Sequence, residues 1–284
     1  MRVLVTGAAG QLGQSIRRVA HDAKDEYIYT DVVDLDITNR NSVMAFVAEN
    51  NIDIIINCAA YTDVERAEDD EERAQLLNAT AVGYLAEAAK QNNALLIHIS
   101  TDYVFNGDCS ATITEESHPQ PINAYGRTKL AGEEAIMASG CRYIILRTAW
   151  LYSAHGKNFV KTMLRLTAEN SSIRVVSDQL GTPTYAGDLA KAIVTIISAR
   201  NFHEGVYHYT NLGECSWWQF ACEIARLAGH TACEVRPCTT DEYPTKARRP
   251  MNAVLDKTKF RTTFGIDIPE WGVSLKKCID ELKA

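Results

Sequence analysis

The first residues of the chain place a short apolar segment directly before a glycine-rich turn, and this junction constrains the fold most. Arg2–Val5 predicts a buried strand. The turn that follows contains three glycines: Gly7, Gly10 and Gly13. Glycine accepts positive φ angles and lets a backbone approach a ligand closely. A helix predicted from Gln11 to Ala20 would point its N-terminal amides at a phosphate, so the junction predicts a dinucleotide site.

The spacing of these glycines departs from the standard dinucleotide fingerprint. That fingerprint, G-x-G-x-x-G, would place a glycine at position 8, where this chain has Ala8. A second strand is predicted at Glu26–Thr30, and Asp31 follows it directly. The distance from the glycine turn to Asp31 is close to the interval at which an acidic residue contacts the adenosine ribose of a bound dinucleotide. An acid at this position favours NAD, because it would repel the 2′-phosphate of NADP. The preference between NADH and NADPH stays open at this point.

The alternation of strands and helices continues through the first half of the chain. Further strands are predicted at 53–57, 95–99 and 143–147, with helices at 41–50, 71–91 and around residue 125. Five alternations predict an α/β fold, a Rossmann-type doubly wound parallel sheet with right-handed crossovers. His98 alternates within its strand and is predicted to pack in the core. The acidic run 65–72 is predicted to be a solvated loop and helix start.

The second half of the chain is less regular. Helices are predicted at 158–168, 188–199, 216–228 and 269–282, and a strand at 206–209. Turn signals are frequent between them, and residues 246–250 form a concentrated basic patch. We predict a dinucleotide-binding domain over residues 1–150, to which the later helices return, and a smaller substrate-binding lobe over residues 151–284.

Composition limits the functional classes that fit the chain. It has 284 residues, 46% hydrophobic and 23% charged, and a net charge of −7, which argues against nucleic acid as a partner. No apolar run approaches the ~20 residues of a membrane span, and no signal-peptide pattern is found, so a cytoplasmic protein is predicted. The eight cysteines are interpreted as free thiols. One group of metal-ligand residue types has a spacing that fits no zinc template: Cys222, His230, Cys233 and Cys238.

Tyr125 and Lys129 are four residues apart in a predicted helix, so their side chains lie on one face. Free tyrosine has a pKa of about 10, and a neighbouring cation lowers it. A tyrosine of this kind can give a proton to a developing alkoxide. The spacing alone is common, and the alternative is an amphipathic surface helix with Tyr125 packed on the core.

The complete set of motifs resembles the extended short-chain dehydrogenase/reductases and, within them, the dTDP-4-dehydrorhamnose reductases. The blocks that carry the resemblance are Gly10–Gly13, Asn57–Thr62, Ser100–Phe105, Tyr125–Glu133, Arg147–Trp150, Asn158–Met163, Asp178–Thr184 and Arg249–Pro250. They cover nearly the whole chain. The resemblance implies NAD(P)H-dependent reduction of a dTDP-4-keto-6-deoxy sugar to dTDP-L-rhamnose.

The resemblance also implies roles for particular residues. Tyr125 would be the general acid, Lys129 would hold the nicotinamide ribose and lower the tyrosine's pKa, and Thr101 would orient the ketone. The implied cofactor-binding residues are Gly7, Gly10, Gln11, Leu12, Gly13, Asp31, Asp36, Ile37, Ala59, Ala60, Thr62, Tyr125 and Lys129. The implied substrate-binding residues are Thr101, Asp102, Trp150 and Arg249.

The sequence departs from the family at one position, and two other functions remain open. Some members form a magnesium-bridged dimer through carboxylates near the first helix and before a later one. This chain has Ser15 at the first place and only part of that carboxylate set, so no metal is predicted and a homodimer stays open.

The alternative functions are another nucleotide-sugar reductase or epimerase, and a non-catalytic subunit similar to that of methionine adenosyltransferase. An intact Thr101, Tyr125 and Lys129 weighs against the latter.

Overall fold

A six-stranded parallel sheet forms the centre of the protein. The computed structural model describes residues 1–108 and 111–283. The strands of the sheet are β1 (Arg2–Thr6), β2 (Glu26–Tyr29), β3 (Ile54–Asn57), β4 (Leu95–Thr101), β5 (Arg142–Thr148) and β10 (Gly205–His208). Their spatial order is β10-β5-β4-β3-β1-β2, with all neighbours parallel. The order reverses between β1 and β3, and this switch point opens a crevice at the carboxyl ends of the strands.

Helices cover both faces of this sheet. The helices of the described residues are α1 (Gln11–Val19), α2 (Arg40–Glu49), α3 (Val64–Ala67), α4 (Glu71–Gln75), α5 (Ala81–Gln91), α6 (Ala124–Ser139), α7 (Phe159–Glu169), α8 (Ala186–Ser198), α9 (Trp217–Ala228), α10 (Thr258–Phe264) and α11 (Trp271–Lys283), and not all of them pack on this sheet. One face buries α1, α8 and α10 against the sheet, and the other buries α2 and α5. The doubly wound α/β prediction is therefore confirmed.

The predicted helix starts are accurate where a side chain caps the helix. Asn39 accepts a hydrogen bond from the backbone N–H of Ser42 at the start of α2, and Ser216 forms a capping box with Gln219 at the start of α9. The helix predicted at 71–91 differs, because residues Leu76–Thr80 form a π-turn between α4 and α5. Strand β4 extends to Thr101, two residues past its predicted end.

The second half of the chain builds short strands beside the main sheet. These are β6 (Leu151–Tyr152), β7 (Ser172–Val176), β8 (Leu180–Gly181), β9 (Thr184–Tyr185), β11 (Cys215–Ser216), β12 (Glu234–Cys238) and β13 (Asn252–Ala253). A third buried cluster joins α7, α9 and α11 around Tyr152 and Phe220. Strand β10 instead pairs with β5 in the main sheet. The division at residue 150 stays a prediction.

The sequence also led to expectations about the cysteines and about membrane-spanning segments. Within the described ranges, seven cysteines are free thiols, and Cys109 lies outside the described residues. No helix among the described residues has the length and apolarity needed to cross a membrane.

Candidate active site

A cavity of about 1070 Å³ lies along the carboxyl edge of the sheet. It begins at the turn after β1, passes the ends of β3 and β4, and reaches the segment after β5. Ligand pockets for drug-sized molecules have volumes of about 300–1,000 Å³, so this cavity is large enough for an extended ligand.

Most of the predicted site residues line this cavity. They are Gly7, Gly10, Gln11, Leu12, Asp31, Asp36, Ile37, Ala59, Ala60, Thr62, Thr101, Asp102, Tyr125, Lys129 and Trp150. Two predicted residues lie outside the lining, Gly13 and Arg249. A Cβ at Gly13 would lie 2.6 Å from the carbonyl oxygen of Gly7, so this glycine allows α1 to pack against the turn.

The turn after β1 is held tightly against the turn after β3. Gly7 has a φ of +61°, and a Cβ there would lie 2.7 Å from the Cα of Ala59. Any larger residue would therefore push the two turns apart. The backbone N–H of Gly10 donates to the carbonyl of Gly7 and closes the turn in front of α1. The start of α1 then opens toward the cavity, where an anion would be stabilised.

Asp31 lies beside this turn, at the end of β2. Its Oδ2 accepts a hydrogen bond from the backbone N–H of Ala9 at 3.0 Å, and its Oδ1 accepts from Val32 at 2.8 Å. These two bonds fix the carboxylate at the cavity wall, and a second anion placed next to it would be repelled.

Thr101 and Asp102 form a hydrogen-bonded pair at the end of β4. The Thr101 hydroxyl donates to Oδ1 of Asp102 at 2.9 Å. Oδ2 of Asp102 is buried and has no hydrogen-bond partner among the residues that the structure describes. Burial raises the pKa of Asp102 to about 7. An acceptor of this kind at a cavity wall favours a ligand that brings a hydroxyl or N–H donor.

Tyr125 stands in the first turn of α6, which Asn123 caps by accepting from the backbone N–H of Gly126. Its ring packs edge-on against Tyr103, with centroids 5.5 Å apart. Burial raises the pKa of Tyr125, the Asp102 carboxylate raises it further, and a hydrogen bond with Thr101 lowers it. The net direction is opposite to the sequence-based expectation of a lowered pKa. The physical reason is that desolvation outweighs the hydrogen bond.

Lys129 lies one turn after Tyr125 and is almost fully buried. Its Nζ donates to the carbonyl oxygen of Ile99 at 2.7 Å and lies 3.3 Å from Nε2 of His98. Burial lowers the pKa of Lys129 to about 8, and the Glu133 carboxylate acts in the opposite direction. Glu133 follows one turn later and forms a buried ion pair with Arg147 at 2.6 Å.

Trp150 reaches the cavity from an unusual backbone conformation. Its φ is +49°, which is rare for a residue other than glycine and is often found at functional sites. The ring stacks on Trp217 with centroids 3.6 Å apart. A Cβ at Gly181 would lie 2.7 Å from the same ring, so Trp150 is held firmly between these residues.

Sequence reasoning missed several residues of the cavity. Two are cations, Arg73 from α4 and Lys157 from the segment before α7. An anionic ligand requires such groups in a chain with a net charge of −7, but their positions depend on tertiary structure. A third feature is that Asn158 donates to Oε1 of Gln11 at 3.0 Å, which ties the start of α1 to the second half of the chain.

Arg249 is paired with an acid instead of lining the cavity. Its guanidinium lies 2.5 Å from the Glu65 carboxylate, and the backbone N–H groups of Lys246 and Ala247 also donate to Glu65. Lys246 pairs with Asp69 nearby. Glu65 and Asp69 keep 39% and 63% of their side-chain surface accessible, so both acids stay solvated at a loop and helix start as predicted, and their pairing with the basic patch adds to that prediction.

No group of three or more His, Cys, Asp or Glu residues in the described ranges is arranged to hold a metal ion. His230, one of the metal-ligand types noted in the sequence, has its Nδ1 2.8 Å from the hydroxyl of Thr167.

Comparison with known proteins gives a consistent result over the full length. Residues 1–284 match the family described as RmlD substrate binding domain. The chain is 40% identical to a dTDP-4-dehydrorhamnose reductase of Aggregatibacter actinomycetemcomitans over an alignment of 285 positions, which covers 97% of each of the two proteins. A crystal structure of a dTDP-4-dehydrorhamnose reductase from Clostridium acetobutylicum is 44% identical, with a TM-score of 0.96 and 100% of each chain covered. A Bacillus anthracis dTDP-4-dehydrorhamnose reductase in complex with NADP is 39% identical, with a TM-score of 0.95 and 99% of each chain covered.

Proposed function

The chain belongs to the RmlD substrate binding domain family, and we propose that Thr101, Tyr125 and Lys129 carry out the chemistry of its active site. It is an NAD(P)H-dependent oxidoreductase that reduces dTDP-4-dehydrorhamnose to dTDP-rhamnose. The observation that supports the residue roles best is the lining of one cavity by all three side chains together with the glycine turn.

The residues of the cavity fit a dinucleotide cofactor. The close approach at Gly7 leaves no room for a side chain between the turns, and the start of α1 offers backbone N–H groups to a phosphate. Arg73 and Lys157 add positive charge to the same cavity. When it is bound, the nicotinamide supplies the hydride that reduces the ketone carbon.

Tyr125 supplies the proton that the ketone oxygen takes up. With its raised pKa the phenol is protonated at neutral pH, as a proton donor must be. Thr101 orients the carbonyl oxygen next to the phenol. The Thr101 hydroxyl, which donates to Oδ1 of Asp102 in the structure, turns its one hydrogen to the ketone when substrate binds, and Asp102 offers its free Oδ2 to a hydroxyl of the sugar.

The substrate's diphosphate requires a cation on the substrate side of the cavity. Arg249 serves this role when it exchanges Glu65 for the diphosphate, and Trp150, which lines the cavity, contacts the sugar nucleotide. Cytoplasmic location is a prediction from the sequence, and a homodimer stays open.

An assay with the purified protein tests these roles. We expect wild type to oxidise NADH or NADPH when it is given the 4-keto sugar nucleotide. Tyr125→Phe should lose on the order of 10²–10⁴ in kcat, since it removes a general acid. Tyr103→Phe is the matched control, because it removes a phenol hydroxyl from the adjacent ring and should lose far less. Full activity in Tyr125→Phe would contradict the assigned role.

A further inference from the structure

His98 lies on β4 directly beneath Lys129, and the roles proposed above do not use it. The side chain is fully buried, on the face of the sheet that α6 covers. Its Nε2 is 3.3 Å from Nζ of Lys129, and its Nδ1 is 3.1 Å from Nδ2 of Asn57. Asn57 is the last residue of β3, so His98 connects the buried lysine to the neighbouring strand.

The partners of Asn57 determine which nitrogen of His98 carries the proton. Oδ1 of Asn57 lies 3.2 Å from the backbone nitrogen of Ala59 and 2.7 Å from the hydroxyl of Thr6. The Ala59 N–H can only donate, so the amide oxygen must face it and the amide nitrogen must face His98. Nδ1 of His98 therefore accepts a hydrogen bond from Asn57.

A neutral imidazole has one N–H and one acceptor nitrogen. Burial lowers the pKa of His98 well below its ordinary value, and the Lys129 ammonium lowers it further, so the ring is neutral. With Nδ1 as the acceptor, the proton is on Nε2. This N–H then points at Nζ of Lys129.

Such an N–H suits only one form of the lysine. An ammonium has three N–H donors and no lone pair, so it cannot accept a hydrogen bond. A neutral amine can accept one from His98 and still donate to the carbonyl of Ile99. The Glu133 carboxylate, which is paired with Arg147, acts in the opposite direction. It stabilises the ammonium form of Lys129, so the amine becomes neutral only at higher pH.

We infer that His98 is a positioning residue that stabilises the neutral amine of Lys129 during the reduction. The inference rests on the proposed roles of Tyr125 and Lys129. The ketone oxygen takes the phenol proton of Tyr125, and the phenolate is reprotonated from Lys129. The amine that remains receives a hydrogen bond, but no proton, from His98, and it regains a proton from solvent before the next turnover.

Two substitutions separate the two nitrogens of the ring. In His98→Asn the amide still faces Asn57 but ends short of Lys129. In His98→Gln an amide N–H returns to the place of Nε2. We expect His98→Asn to lose about tenfold in kcat, and the pH at which activity falls on the alkaline side to rise by about one unit. The sign follows because the neutral lysine is destabilised, so Lys129 stays charged to a higher pH. His98→Gln should recover most of both changes.

The opposite movement would overturn the inference. If the alkaline fall moves to lower pH in His98→Asn, the imidazole accepts from the ammonium, and an unchanged profile means that His98 does not act on Lys129.

Nitrogen NMR of isotope-labelled histidine in the wild-type protein gives a second readout, with the His98 signal assigned by its absence in His98→Asn. We expect the Nε2–H tautomer, and the Nδ1–H tautomer would contradict the inference. This measurement needs no turnover, so it distinguishes a wrong inference from a wrong function.

Discussion

The carboxylate of Glu65 and the guanidinium of Arg249 meet at 2.5 Å, although 184 positions of the chain separate them. Glu65 belongs to the short helix α3, and Arg249 ends the basic patch of the C-terminal half. Both side chains are partly exposed, with 39% and 24% of their surface accessible. Partly exposed pairs of this kind contribute about 0–1 kcal/mol to stability, so the pair can open at little cost when Arg249 binds the diphosphate, as proposed above.

Arg249→Ala should weaken substrate binding without affecting the proton transfer. We expect the KM for the sugar nucleotide to rise by about tenfold, because a charged hydrogen bond to the diphosphate is lost, while kcat stays close to wild type. Glu65→Gln keeps an acceptor for the backbone N–H groups of Lys246 and Ala247 but releases Arg249, so its KM should not rise. Asp69→Asn, which breaks the neighbouring pair with Lys246, is the matched control. A tenfold rise of KM in Glu65→Gln would contradict this role.

The Glu65–Arg249 pair also shows what the sequence could not predict. Strands β1 to β5 follow from local patterns of apolar residues and glycines and were predicted within a few residues, and the helix predicted around residue 125 is α6. The pairing of an acidic run with a basic patch depends on how distant segments fold together. Five of the missed strands are only two residues long, as at Leu151–Tyr152 and Cys215–Ser216, which is too short for any periodicity.

The same difference between local patterns and contacts of distant segments holds for the active site. The spacing of Tyr125 and Lys129 places them on one face of α6, so their shared cavity was predictable. The pKa direction of Tyr125 was not, because it depends on burial by surrounding segments. His98 was correctly predicted to be packed, but its contact with Lys129 depends on which residue of α6 lies over β4.

Asp102→Asn should change how stability depends on pH. In the folded protein Asp102 has a pKa of about 7, against an ordinary value of 3.8. Between these values the folded state binds more protons than the unfolded state, so this residue's contribution to stability is lost as pH rises. In urea unfolding experiments, we expect the free energy of unfolding of Asp102→Asn to exceed that of wild type by up to about 4 kcal/mol near pH 8. Near pH 4 the two free energies of unfolding should be nearly equal. An equal difference at both pH values would show that burial of the charge is not the cause.

Asp31→Asn should shift the preference between the two cofactors. The carboxylate is fixed beside the glycine turn by Ala9 and Val32, where it would repel a 2′-phosphate. We expect the ratio of kcat/KM for NADPH to that for NADH to rise by about tenfold or more. Asp34→Asn is the control, since Asp34 is an acid in the same loop whose side chain accepts from the Asp31 N–H. An unchanged ratio in Asp31→Asn, or an equal change in Asp34→Asn, would place the discrimination elsewhere.

Glu133→Gln should affect both stability and the lysine above it. The substitution leaves the Arg147 guanidinium buried without a counter-charge, and breaking such a pair costs about 3–5 kcal/mol. It also removes the carboxylate that raises the pKa of Lys129, so that pKa should fall below about 8. The alkaline fall of activity then moves to lower pH, opposite to the movement expected for His98→Asn.

The control for Glu133→Gln is Ser100→Ala. Ser100 donates a hydrogen bond to the same carboxylate, so this variant removes a contact and keeps the charge. It should lose about 1 kcal/mol of stability and leave the pH profile in place. Glu133→Asp keeps the charge in a shorter side chain and gives a second comparison if Glu133→Gln does not fold. If the profile of Glu133→Gln stays at its wild-type position, the buried carboxylate does not act on Lys129, and the balance between Glu133 and His98 described above is wrong.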